Sequence, residues 1–369
     1  MKKSITVQSP GRINIIGEHT DYNDGFVLPA AIDKKTIMHL AINDTPDEVG
    51  ATAKNFDDHY TFNLNNYRPI EGGWQNYVMG VVHELQKMGA QFPGFNLSFE
   101  GDVPIGGGMS SSAALECSLA FAMNELFSLG FDKWQLIKAS QMAEHNFVGI
   151  KCGIMDQFAS MMGKKGQVML LDCRSLAYSY FPFSLGNYQL VLLNTNVSHS
   201  LASSEYNTRR SECEEGTKII QSHLDGIKNL RDVNLTWMIQ NKELFPDKLY
   251  DRCFHVVSEN QRVLDTTDAL KAGEYRKVGK FMYASHHSLQ YNYEVSCPEL
   301  DFLVEICKDN PYVLGSRMMG GGFGGCTINV VHKDHSKAFI ENAAKLYRQK
   351  FSIDITPYSV SIEDGTKEI

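Results

Sequence analysis

The sequence has 369 residues, about two domains at roughly 150 residues each. Its 43% hydrophobic and 21% charged composition supplies enough apolar surface for a buried core and excludes general disorder. Lys plus Arg is 35 against 43 for Asp plus Glu, a net charge of -8. That argues against general binding to nucleic acid or anionic membranes, yet leaves room for a small phosphorylated ligand at a local positive site.

Two lysines precede a short alternating strand pattern at the N-terminus, which is not a signal peptide. No run of 18 apolar residues follows, so no membrane span is expected. The 8 cysteines are scattered, without a C-x-x-C pair, as expected of reduced, packed thiols in a cytoplasmic protein. Strands are expected at 4–8, 12–16, 26–29 with 36–43, and 51–55 with 60–64. Trp74 to Lys87 carries Trp74, Tyr77, Val78, Val81, Val82 and Leu85 at helical spacing. A strand at 95–100 leads through a glycine-rich turn at 104–108 into a buried helix, Ser110 to Phe127. Trp134 to Phe147 is another helix. Strands at 167–172 and 177–181 flank a hairpin turn at Asp172-Cys173-Arg174-Ser175, and 188–194 is a further strand. Long helices follow at 203–222, 251–267 and 269–289. A strand at 326–332, a helix at 335–350 and a strand near 355–362 close the chain. The boundary is placed near 180–190, giving halves 1–185 and 186–369.

Four segments could carry chemistry. The first is Pro104-Ile105-Gly106-Gly107-Gly108-Met109-Ser110-Ser111-Ser112-Ala113-Ala114. Glycines allow close backbone approach, and free N–H groups at a helix N-terminus attract anions. Capping explains one serine, and three glycines with three serines exceed that need. The loop lacks the Gly-Lys-Ser/Thr of a Walker A motif. The second, Gly320-Gly321-Gly322-Phe323-Gly324-Gly325, satisfies G-x-G-x-x-G. It leads into a strand rather than opening a helix, which rejects dinucleotide binding. It either lines a site or makes a tight turn. The third, Gly11 to Tyr22, passes from an apolar strand to Glu18, His19, Thr20 and Asp21. These read either as a solvated turn or as acceptors for a polyhydroxylated ligand. The fourth places Glu144 and Asp156 singly among apolar and small residues, as surface acids or as functional ones.

Three of these motifs occur in the order seen in the GHMP small-molecule kinases: the 9–32 segment, Pro104 to Ala114, and Gly315 to Gly325. The stretch Gly11 to Ile32, GRINIIGEHTDYNDGFVLPAAI, resembles the signature of the galactokinase branch. Trp74-Gln75-Asn76-Tyr77-Val78 and Ser203-Ser204-Glu205-Tyr206 with Arg209-Arg210 are similar too. The likeness runs from about residue 9 to 331. Met109 stands where leucine is usual, and Met319 where threonine is common.

The resemblance implies an α+β fold of two domains, an N-terminal half like ribosomal protein S5 and a ferredoxin-like C-terminal half with added helices. It implies ATP-dependent phosphorylation of the C1 hydroxyl of galactose, with Mg2+, by a cytoplasmic monomer whose partners are these small molecules. By position, Asp156 matches the catalytic base and Arg12 the residue that stabilises it and the transferring phosphoryl group. Glu18, His19, Thr20 and Asp21, with Gly153 and Tyr206, match the sugar pocket. Gly106, Gly107, Gly108, Met109, Ser110, Ser111 and Ser112 match the nucleotide phosphate loop. Ser112 and Glu144 match the magnesium ligands, and Trp74 falls in a segment on the adenine side. The alternatives are a kinase for a related sugar, such as N-acetylgalactosamine or arabinose, and a non-catalytic sugar and ATP sensor, against which the intact Asp156 and Ser112-Ala113 tell.

Overall fold

The first strand joins its two expected pieces and ends at Asn14 rather than at residue 16. In the computed structural model β1 spans Ser4–Asn14 without a break, and its register against the neighbouring strand shifts between Pro10 and Arg12. Pro10 has no N–H to give the ladder. Gly11 lies so close to the backbone of the glycine-rich loop before α2 that a Cβ there would come within 2.6 Å of the Met109 carbonyl oxygen. The Arg12 N–H then donates to that same carbonyl at 3.0 Å. The irregularity thus seats the loop against β1. The structure describes residues 3–198 and 202–369; Met1, Lys2 and the side chain of Ser203, quoted above, lie outside the described residues.

The chain continues through β2 (Phe26–Val27), β3 (Pro29–Ile42), β4 (Glu48–Ala53), β5 (Asp58–Asn63), α1 (Gln75–Lys87) and β6 (Phe95–Gly101). Then come α2 (Ser111–Phe127), α3 (Lys133–Ala143) and α4 (Met155–Met162). α2 is rich in Ala and Leu, strong helix formers, and is buried on nearly every side. Asp132 and Gln135 make a reciprocal capping box at the start of α3. The expected single helix Trp134 to Phe147 changes at Glu144 into a π turn, Glu144–Val148, closed by Gly149 at φ 84. α4 was not expected, because its 8 residues give barely two turns of periodicity to read.

The second part holds β7 (Gln167–Asp172), β8 (Tyr178–Pro182), β9 (Tyr188–Ser198), α5 (Ala202–Gln221), α6 (Leu235–Gln240), α7 (Asp247–Lys271), α8 (Tyr275–His287) and α9 (Pro298–Lys308). It ends with β10 (Val313–Met318), β11 (Gly324–His332), α10 (Ser336–Phe351), β12 (Thr356–Ser359) and β13 (Lys367–Glu368). α6, α9 and β10 were not read from the sequence. The break expected at 268 falls instead at Ala272–Glu274, where Gly273 takes φ 70.

A six-stranded sheet has the order β13-β1-β3-β6-β4-β5, with β4 and β6 parallel and the other neighbours antiparallel. One face carries α1 to α4 over a core of Val81, Leu97, Leu119 and Phe158. The second sheet, β10-β11-β9-β12, packs against α8 and α9. A third, β2-β7-β8, packs against β3 of the first sheet and against α7. One apolar cluster joins Ile13, Ile15 and Leu28 from the first half to Val263, Met282 and Ile328 from the second. The halves expected at 1–185 and 186–369 also exchange a segment. β13 pairs with β1, and Gly365 N–H donates to the Gly163 carbonyl at 2.8 Å. The terminal residues therefore belong to the first sheet.

Gly279 shows how closely α8 meets β10. A Cβ there would stand 1.9 Å from the Leu314 carbonyl oxygen, and backbone cannot yield as a flexible side chain does. Gly279→Ala is expected to destabilise the fold by about 1–3 kcal/mol. Urea unfolding checks this: the midpoint should fall with the slope unchanged.

Candidate active site

Four segments meet where β1 ends. β1 supplies Arg12, the turn after it Glu18, His19 and Asp21, the π turn with α4 Glu144 and Asp156, and the loop after β10 Gly320 and Gly321. Together with Cys152, Gly153 and Tyr206 they line a polar cavity of about 130 Å³. Four of its side chains are carboxyls and one is a guanidinium.

Arg12 grips Asp156 with two parallel bonds, Nε to Oδ1 at 2.9 Å and Nη2 to Oδ2 at 3.0 Å. Such bidentate pairs fix orientation as well as charge. The third nitrogen, Nη1, donates to the Gly108 carbonyl. The Ser110 hydroxyl donates to Asp156 Oδ2. Ser110 takes φ 58, a left-handed conformation that its place between Gly108 and α2 imposes. It was expected among the phosphate-loop residues; its hydroxyl is turned to the acid.

Glu18 is almost fully buried. Its Oε1 accepts from Arg317 Nη1 and Nη2 at 3.2 and 3.1 Å and from Gly320 N–H at 2.8 Å, and its Oε2 from Asn14 Nδ2 at 2.6 Å. A carboxylate has about four acceptor positions over its two oxygens, so Oε2 keeps capacity for a ligand. His19, at φ 64, has both nitrogens engaged, Nδ1 with the Tyr22 hydroxyl at 2.7 Å and Nε2 with the Gly321 carbonyl at 3.2 Å. Burial pulls its pKa down to about 3. Thr20 does not line the cavity. Its hydroxyl lies 2.9 Å from the Gly17 carbonyl and 2.6 Å from the Phe26 carbonyl, bracing the turn.

Asp21 is pushed up to about 7, first by burial and then by the nearby charge of Asp156. Gly153 lies against it: a Cβ would come within 1.9 Å of Asp21 Oδ2. Only glycine leaves room there. Glu144 is buried, which raises its pKa, and the nearby Ser112 hydroxyl partly offsets that rise. Its Oε2 accepts from Gln157 Nε2 at 2.9 Å and Cys152 Sγ at 3.0 Å. Gln157 Nε2 also donates to Glu116 Oε2 at 3.0 Å.

Ser112 also lines a second cavity, of about 610 Å³, with Ser111, Pro104, Ile105, Trp74, Tyr77 and Phe99 among its walls. This cavity is mainly apolar at Trp74, whose indole Nε1 donates to Asp58 Oδ2 at 2.8 Å. Ser112 on the wall of one cavity therefore stands near Glu144 on the wall of the other. Gly106, Gly107, Gly108 and Met109 form the turn beneath them, with Gly106 at φ 71 and Gly108 at φ 70.

Asn14, Glu116, Gln157 and Arg317 were missed in the sequence. Arg317 left a signal, a single arginine inside the apolar run Val313 to Met319, because a charge in such a run needs a buried partner. No group of three or more His, Cys, Asp or Glu side chains among the described residues forms a metal cluster. The cysteines are all free. No described helix is long and apolar enough to cross a membrane.

Residues 1–42 match the family described as galactokinase galactose-binding signature, 76–164 the GHMP kinases N terminal domain, and 266–349 the GHMP kinases C terminal. The galactokinase of Thermosipho africanus is 41% identical over 98% of this chain and 99% of its own length. That of Lactiplantibacillus plantarum is 44% identical over 98% of this chain and 94% of its own. Among solved structures, Lactococcus lactis galactokinase complexed with galactose superposes with a TM-score of 0.96 at 35% identity, covering 100% of this chain and 96% of that one. Methanococcus jannaschii mevalonate kinase shares the fold, with a TM-score of 0.68 at 17% identity over 98% of both chains. With both GHMP domains, the galactose-binding signature and full-length relatives at this identity, the chain belongs to the galactokinase family of GHMP kinases.

Proposed function

We propose that the protein transfers the γ-phosphoryl group of ATP to the C1 hydroxyl of galactose. The observation that carries this reading is the Arg12–Asp156 pair in the wall of a small polar cavity, tied through Ser110 to the start of α2, where Ser111 and Ser112 line a larger, mainly apolar one. The first is below the roughly 300–1,000 Å³ of drug-sized sites and suits one small polyol. The second offers an aromatic wall and the serines that open α2, the setting for a nucleotide with its phosphates at a helix N-terminus.

Phosphoryl transfer depends chiefly on positioning and on charge neutralisation. Asp156 accepts the C1 hydroxyl proton. Arg12 holds that carboxylate and offsets charge on the transferring group. A carboxylate so paired is a weak base, which suffices when the transition state is loose and the proton leaves late. Ser110 adds a hydrogen bond that fixes the acid in place. Glu18, Asp21 and Tyr206 meet the sugar hydroxyls, and Gly153 keeps Asp21 close to the ring. Trp74 and Tyr77 flank the base of the nucleotide.

The residues present fit Mg2+. Glu144 and Ser112 offer hard oxygen ligands side by side, and two protein contacts suffice for an ion that keeps several waters. Bound there, the ion would neutralise phosphate charge. Gln157 and Cys152 hold Glu144 so that one oxygen remains for that role.

Asp156→Asn keeps shape but cannot take a proton. Turnover should vanish while calorimetry still shows near-normal galactose and ATP binding; a variant retaining most of its kcat removes Asp156 from the chemistry. Glu144→Gln should raise the Mg2+ concentration needed for half-maximal rate and leave galactose affinity nearly unchanged. A collapse of galactose affinity at unchanged Mg2+ dependence would reverse the assignment.

Asp21 governs sugar choice. A site built to hydrogen-bond a hydroxyl rejects an isomer that misplaces it, so glucose should be disfavoured by at least ~2 kcal/mol. Asp21→Ala should lower kcat/KM for galactose and narrow that margin, at unchanged ATP affinity. The raised Asp21 pKa of about 7 adds a pH signature. The ionised form is the better acceptor, so galactose affinity should weaken as pH falls from 8 to 6. The same shift makes folding stability fall as pH rises from the unfolded value of 3.8 towards 7. Calorimetry across that range should show the affinity trend in the wild type and lose it in Asp21→Ala.

A further inference from the structure

His19 stands in the cavity wall, yet neither ring nitrogen is free. Burial keeps the imidazole neutral, so it carries one N–H. The Gly321 carbonyl can only accept, which assigns that proton to Nε2. Nδ1 must then accept from the Tyr22 hydroxyl, at 2.7 Å. With its proton committed, Tyr22 accepts from the Tyr293 hydroxyl at 2.8 Å. Tyr293 in turn accepts from the Cys213 thiol at 3.1 Å. Burial pushes that thiol up to about 12, so it is protonated and able to donate. The chain of bonds therefore has one direction, from α5 through the segment after α8 to the turn after β1.

The far end of this chain is the loop after β10. Gly320 N–H donates to Glu18 Oε1 and the Gly321 carbonyl accepts from His19. Adjacent residues of one turn thus hold adjacent residues of the other. Around the imidazole, the rings of Tyr22, Tyr206 and Tyr293 stand 5.8, 5.3 and 4.8 Å away, which fixes its plane. Tyr22 and Tyr293 do not line the cavity.

We propose that His19 is a positioning residue rather than a sugar ligand: it pins the Gly320–Gly321 loop over the sugar cavity, in the tautomer that the Gly321 carbonyl selects and the Cys213–Tyr293–Tyr22 relay supports. The activity readout of this proposal rests on the galactose reading. Its structural readouts do not.

Tyr22→Phe removes the donor to Nδ1 without touching the cavity wall. Galactose KM should rise about fivefold to tenfold, the loss of one neutral hydrogen bond, while kcat stays within about twofold and ATP KM is unchanged. Amide hydrogen exchange of residues 320–323 in the free protein should become faster. Tyr293→Phe should move the same way by less, and the double variant should be no worse than Tyr22→Phe alone, because both act through one chain. Nitrogen NMR of the imidazole should show Nε2–H in the wild type and a tautomer mixture in Tyr22→Phe. His19→Gln, whose amide can still donate to the Gly321 carbonyl, should keep slower loop exchange than His19→Ala. Unchanged loop exchange, an unchanged galactose KM, or a wild-type imidazole protonated on Nδ1 overturns the proposal. A wild type that does not phosphorylate galactose sinks the functional reading instead, and exchange and NMR still decide this one.

Discussion

The buried pair of Arg317 and Glu18 is the joint on which the rest of the site depends. Both side chains are essentially without solvent exposure. Burying two charges costs several kcal/mol each unless every polar atom finds a partner. Here Arg317 also donates to the carbonyls of Asn14, Ile15 and Met318. It stitches the end of β1 to the end of β10, two strands from different sheets. Removing either partner would leave a charge stranded at the seam, the costly case for such pairs. The turn carrying His19 and Asp21 and the Gly320–Gly321 loop both leave directly from this joint.

A second constraint sets the chemistry. Pro10 and Gly11 disturb the ladder of β1, and the disturbance lets the glycine-rich loop before α2 lie on the strand. Arg12, one residue on, then reaches both the loop carbonyl of Gly108 and the carboxylate of Asp156. One guanidinium therefore ties the loop that faces the second cavity to the acid of the first. Ser110 repeats the tie from the other side. Arg12, Ser110 and Asp156 are thus placed by rigid elements, the end of a strand and the starts of two helices, which hold geometry better than free loops do.

Behind them lies a layer of acids. Glu116 is fully buried one turn after Ser112, and burial raises its pKa well above the usual range. Gln157 bridges it to Glu144 through one amide nitrogen. Since Gln157 follows Asp156 on α4, the same short helix orients the acid of one cavity and supports the Glu144 carboxyl that stands near Ser112 of the other.

Much of this was legible in the sequence because it is local. The glycine–serine run before α2, the acid-rich turn after β1 and the glycine loop before β11 each need a backbone that only those residues allow, and the order of the motifs carried the family likeness. Arg12, Asp21, Gly153, Glu144, Asp156 and Tyr206 do share one cavity. Other features have no local signal. Thr20 looks like its neighbours yet braces the turn, and Ser110 looks like Ser111 and Ser112 yet bonds Asp156. α4 is too short to show a period, and β13 returns to a sheet begun more than 350 residues earlier. The sequence by itself determined which groups were available and which backbone turns could present them. The partner of each hydrogen bond, and so whether His19 meets a ligand or holds a loop, was decided only by the tertiary structure, because in a buried site a polar atom bonds whatever distant segment packing brings within reach.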